Sequence, residues 1–108
     1  MLGQKNKNNM RKLILVITVL FCGFACNRQT VDENVNKGNA KDSIGDFKGA
    51  IEDYNKAIEV NPDYTNAYYN RGIVKYTLGN TDEACLDWHK ASELGLTEAG
   101  ELIKQYCK

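Results

Sequence analysis

Five side chains stand out for their chemistry: the single histidine, His89, and the four cysteines, Cys22, Cys26, Cys85 and Cys107. An imidazole works as a base or metal ligand where carboxylates or thiolates converge on it. His89 is a lone histidine outside any cluster with ligand spacing, so it reads as a solvent-facing helix residue. The glycines are scattered rather than gathered into a phosphate loop, and no grouping brings nucleophile, base and oxyanion donors together. The aspartates and glutamates are spread along the chain and read as a solvated face. The sequence therefore predicts no enzyme, no metal site and no cofactor. The thiols have three remaining uses: lipid acceptor, half of a disulfide, or small buried apolar side chain.

The first two cysteines close a segment unlike the rest. Residues 1–25 carry Lys5, Lys7, Arg11 and Lys12 and no acid. Within them Leu13–Phe21 (LILVITVLF) is a continuous apolar run, followed by Cys22-Gly23-Phe24-Ala25-Cys26. A basic head, a short apolar stretch and small residues at a cleavage point read as a secretory signal over 1–25, with Met10 an alternative start. Even from Leu13 to Cys26 the stretch is 14 residues, whereas a spanning helix needs about 20. An uncleaved anchor is thus the weaker reading. Ala25-Cys26 resembles the bacterial lipoprotein pattern, in which the cysteine becomes the lipidated first residue, although Gly23 and Phe24 depart from its usual order. The alternative is an ordinary signal whose cysteines are incidental. The resemblance implies a lipid on Cys26 and export to a bacterial cell envelope, lipid-anchored or periplasmic, with 26–33 as a polar tether. Because the chain is neutral overall, removing those four cations leaves an acidic remainder. That excludes nucleic acid, which needs a basic face.

Beyond the tether, one offset organises everything. A shift of 34 pairs Gly38 with Gly72, Gly45 with Gly79, Ala50 with Ala84, Asp53 with Asp87 and Tyr54 with Trp88. The same shift pairs Lys37 with Arg71 and Lys41 with Lys75. Such a period belongs to helix–turn–helix units that stack to bury their apolar faces. The first unit covers 31–64. Its first helix, Asn34–Ile44, is polar, with Val35, Ala40 and Ile44 as its apolar contributions. Its second, Phe47–Val60, repeats Phe47, Ala50, Ile51, Tyr54, Ala57 and Ile58 at helical spacing. Asn61-Pro62-Asp63 then ends the helix. The second unit covers 65–96, with Tyr68, Tyr69, Ile73, Tyr76 and Leu78 on its first helix and Ala84, Cys85, Trp88 and Ala91 on Thr81–Leu94. Gly95 suits a left-handed cap, and Thr97 reads as the N-cap of an amphipathic closing helix in 97–108.

These marks resemble the tetratricopeptide repeat (TPR) family over about Val31–Leu94. Gly38 and Gly72 match the small residue of the first helices. Ala50, Ala84, Ala57 and Ala91 match the small residues of the second helices, Tyr54 and Trp88 their aromatic, and Pro62 the terminal proline. Lys37, Lys41, Arg71 and Lys75 stand where apolar residues are common; their stems can pack while the charges reach water. The resemblance implies an all-α fold, two repeats and a capping helix in a short α-solenoid. It also implies a concave groove that grips a peptide or helix, here lined by Val35, Asn39, Asp42, Tyr69, Ile73 and Tyr76. The tyrosines supply either contact area or core packing. Asn39 and Asn70 resemble the asparagines with which TPR clamps hold a C-terminal carboxylate, without the matching lysines. Stacking would turn Cys85 toward the closing helix, which ends at Cys107, so an exported chain is expected to join the two.

The expected function is that of a protein–protein interaction adaptor at the cell envelope, bound to the membrane through its lipid and to an unidentified protein or peptide. The alternative is a structural protein that self-associates as a homo-oligomer, because two repeats alone bury little surface.

Overall fold

The computed structural model describes residues 31–108; the signal segment with Cys22, and the acceptor Cys26, lie outside them. Five helices follow: α1 (31–43), α2 (Phe47–Val60), α3 (Thr65–Thr77), α4 (Thr81–Glu93) and α5 (Thr97–Tyr106). No strand occurs among the described residues. The pairs α1–α2 and α3–α4 are the two units of the 34-residue period, and α5 packs on α4. Among the described residues no helix is long and apolar enough to cross a membrane.

The turns follow from residue type. Gly45, Gly79 and Gly95 take φ of +84°, +88° and +105°, the left-handed region that glycine enters without a side-chain clash. Each lets the chain reverse within three residues. Asp46 caps α2 by accepting from the Gly49 amide at 3.1 Å. Asn61 Oδ1 accepts from the Asp63 amide at 3.1 Å, closing the Asn61-Pro62-Asp63 turn.

The core has two centres. One gathers Val31, Val35, Ala50, Tyr54, Ala57, Ala67 and Val74 between α1, α2 and α3. The other gathers Tyr68, Ala84, Trp88, Ala91 and Ala99 between α3, α4 and α5. In each, an aromatic ring of the second helix packs against a glycine of the first. A Cβ on Gly38 would stand 2.6 Å from Tyr54 Cε1, and one on Gly72 would stand 2.6 Å from Trp88 Nε1. The missing side chains are what let the helices approach.

Several expectations need correction. The tether ends earlier than its composition implies: residues 31–33 are already helical. Burial of Val31 and a 2.6 Å hydrogen bond from Tyr64 Oη to Asp32 Oδ1 tie that turn down. Ala40 and Ile44 are exposed: Ala40 lies on the open side of α1, and Ile44, 80% exposed, falls in the turn past its end. Leu78 is likewise exposed beyond the end of α3. Thr97 is the first helical residue of α5 rather than its cap; Leu96 holds the cap position and makes no side-chain bond there. Asp53 and Asp87 are not part of a solvated face, being 3% and 5% exposed.

The glycine contacts generate a test. Gly72→Ala forces a methyl against a fully buried indole, and such overpacking costs about 1–3 kcal/mol. Gly100, in α5, has open space at its Cβ position, so Gly100→Ala gains up to about 1 kcal/mol of helix propensity. Urea unfolding is expected to show opposite midpoint shifts for the two variants at an unchanged slope.

Candidate functional site

Two carboxylates decide which way the first helices face. Asp87, on α4, receives Arg71 in a two-pronged contact, Nε to Oδ2 at 2.8 Å and Nη2 to Oδ1 at 2.6 Å. Lys75 Nζ lies 3.3 Å from Asp87 Oδ2 and 3.6 Å from Glu83 Oε2. Arg71 also donates from Nη1 to Asn55 Oδ1 on α2 at 2.8 Å, and its guanidinium sits over the Tyr68 ring at 5.5 Å. One period earlier, Lys41 Nζ lies 2.8 Å from Asp53 Oδ2. Hydrogen bonding to Asp87 raises the Arg71 pKa, and hydrogen bonding to Asp53 raises that of Lys41. The cationic heads of Lys41, Arg71 and Lys75 thus turn inward to the second helices rather than out to water. The signal was present in the sequence: Lys41 and Asp53 recur together as Lys75 and Asp87 at the same 34-residue shift.

The opposite face of α1 and α3 is the candidate groove. Of the six residues expected there by resemblance, three are half-buried, two are exposed and one is internal. Val35 is 6% exposed and belongs to the first core centre, so it is withdrawn from the lining set. Its place in the α1 stripe points into the seam with α2 and α3, where an apolar side chain gains most. Asn39 is exposed and ties three helices together. Its Oδ1 accepts from Tyr54 Oη at 2.6 Å and from Asn70 Nδ2 at 3.1 Å. Asp42 is half-buried one turn further on, with no ion-pair partner among the described residues. Burial, and then the nearby charges of Asp42 and Asp53, push the Tyr54 phenol up to about 12.

Tyr69 and Ile73 on α3 are half-buried, packed on the second core centre together with Leu102 and Ile103 of α5. Tyr76 exposes 39% of its surface. Its ring stacks obliquely on Tyr106 at 4.7 Å and on Trp88 at 5.8 Å between centroids. The two readings of the tyrosines therefore divide by residue: Tyr69 leans into the packing, while Tyr76 presents a supported, half-open ring.

The edge beside α5 is covalently closed. Cys85 of α4 and Cys107, just past α5, form a disulfide with Cα atoms 5.8 Å apart. His89, Asp82, Leu86 and Tyr106 line a shallow hollow of about 350 Å³ beside it. Among the described residues no three His, Cys, Asp or Glu side chains gather as a metal site would require.

Residues 38–79 match the TPR repeat family model, a span that opens on the Gly38–Tyr54 contact and closes on the left-handed Gly79. An uncharacterized protein of Methanocaldococcus jannaschii is 38% identical over 61 residues, which cover 50% of this chain and 71% of that protein. The chain belongs to the tetratricopeptide repeat family. Its TPR units also resemble the tetratricopeptide repeat protein 36 homolog of Nematostella vectensis, with 40% identity over 58 residues. They resemble Hsp70-Hsp90 organizing protein 2 of Arabidopsis thaliana, with 38% identity over 63 residues. The alignments take in 54% and 58% of this chain but 32% and 11% of those proteins. The TPR frame also accounts for Asn39 and Asn70: here they bond one another across the α1–α3 seam.

Two measurements follow. Because the folded pKa of Tyr54 lies above its ordinary value, its contribution is complete below about pH 10 and is lost as pH rises toward 12. The destabilisation caused by Tyr54→Phe should therefore be largest below pH 10 and shrink through that window, as read by urea unfolding of both proteins. Reducing the disulfide, which spans a separation of 22 residues, should cost about 3 kcal/mol by loop-closure entropy. A thermal melt with and without a dithiol reductant measures that loss.

Proposed function

We infer that this TPR unit is a protein–protein interaction adaptor, gripping a peptide or helix of another protein along the α1–α3 face. The observation that carries the reading is Tyr76: a large ring, 39% exposed, held from behind by Trp88 and Tyr106. Rigid aromatic surface gives contact area at low entropic cost. Asn39 and the half-buried edges of Tyr69 and Ile73 continue the same strip. A relative named for organizing Hsp70 and Hsp90 supports a role in which the repeats handle other proteins rather than small molecules. No catalytic role is assigned.

The basic head and the 14-residue apolar stretch ending at Cys26 support export to the cell envelope and a lipid on Cys26. An acceptor so near α1 would hold the adaptor close to the membrane surface, at a few ångström per tether residue.

A photo-crosslinking amino acid placed at Tyr76 in the full chain should give a protein adduct in cells. The same group at Glu59, exposed on α2, should give none. Adducts of equal yield from both positions would argue against the groove. Cys26→Ser should release the chain from the membrane fraction; unchanged attachment would remove the lipid from the account.

A further inference from the structure

The α1–α3 face has an unbalanced charge, and the imbalance has a structural cause. The basic residues α1 and α3 carry after Gly38 are drawn away from it: Lys41 to Asp53, Arg71 and Lys75 to Asp87. Lys37 pairs with Glu33 at 2.7 Å on α1 itself. What remains on the groove stripe of α1 is Asp32, Asn39 and Asp42, at helical spacings of seven and three. Asp32 accepts from the Tyr64 hydroxyl and Asp42 lies near the Tyr54 phenol, and neither carboxylate has a cation within ion-pair distance among the described residues. One period on, the positions of Asn39 and Asp42 are taken by Ile73 and Tyr76. The seam is narrow: α1 and α3 touch through Asn39 and Asn70 at 3.1 Å. The face thus has an anionic wall on α1 and an aromatic wall on α3.

We propose that this face selects a cationic partner segment, a stretch of protein carrying Lys or Arg among apolar residues. The ammonium or guanidinium groups meet Asp32 and Asp42, and the open face of Tyr76 receives either an apolar side chain or a cation over its ring. A segment presenting carboxylates would meet two like charges and, among the described residues, no unpaired cation on that stripe of α1, which disfavours it. The proposal rests on the reading of α1–α3 as the partner face and adds the chemistry of the partner.

The test uses the full chain, isotopically labelled, in zwitterionic detergent. NMR spectra are followed during titration with two soluble decapeptides, one alternating Lys and Ala, the other alternating Glu and Ala. The Lys peptide should shift the side-chain amides of Asn39 and Asn70 and the Tyr76 signals. The Glu peptide should bind there about tenfold more weakly or less. Raising the salt from 0.05 to 0.5 M should weaken the Lys peptide, since exposed charges are screened. The isosteric double change Asp32→Asn with Asp42→Asn should weaken it about fivefold to tenfold, in line with two rim charges. Equal or tighter binding of the Glu peptide at these signals would overturn the cationic preference while leaving the groove in place. So would indifference of the Lys peptide to both salt and the double variant. Shifts from neither peptide at α1 or α3 would overturn the preference and the groove together.

Discussion

A carboxylate sunk between two helices, next to the aromatic ring that fills the seam, sets the register of each repeat. Asp53 adjoins Tyr54 and Asp87 adjoins Trp88, so the residue that needs a cation and the residue that needs a glycine arrive on the same turn. A buried charge without a partner is costly, and the pair is tolerated only where geometry is good. The first helix can therefore dock in one position only: its glycine against the ring and its lysine or arginine against the acid. Sliding by a residue would break both at once. The small alanines around them, Ala50, Ala57, Ala84 and Ala91, allow the approach but do not by themselves choose a register.

The two copies of this device are unequal. In the second, Asp87 collects Arg71 and Lys75, and Arg71 reaches on to Asn55 of the preceding repeat. In the first, Asp53 takes Lys41, while Lys56 stands farther off at 3.9 Å. Guanidinium in place of ammonium makes the difference, because a planar fork can hold a carboxylate and still bond sideways. The second repeat is thus both better paired and the bridge to its neighbour. Tyr54 compensates partly in the first, reaching Asn39 and through it Asn70.

Much of this could be read from the sequence, and the parts that could not have definite physical causes. The 34-residue shift located both repeats, the paired glycines and the turns, because those depend on size and backbone freedom, which residue type states directly. The bounds of α2 agree from Phe47 to Val60. Asp53 and Asp87 escaped because a charged residue is by default assigned to water, and only its recurrence with Lys41 and Lys75 shows otherwise. Val31 escaped because its neighbours are polar, and the contact that orders them, Tyr64 with Asp32, spans 32 residues. Val35 was placed on the groove by its family position. Helical position gives a direction around the axis, but whether that direction meets water depends on how closely α2 and α3 close over it.

The bridge between Cys85 and Cys107 alters how the last helix comes apart. A ten-residue helix at one edge of a stack would ordinarily fray, its amides exchanging with solvent many times for each unfolding of the rest. Here the residue after its last turn is bonded to the middle of α4, beside Ala84 and Trp88. Fraying from that side cannot run far without dragging on α4, and opening from the Thr97 side must lift Leu102, Ile103 and Tyr106 off the second core centre. α4 and α5 thus become one cooperative unit for solvent exchange. The terminal helix inherits the protection of the repeat it covers, and the aromatic support behind Tyr76 stays intact on the timescale of that whole unit.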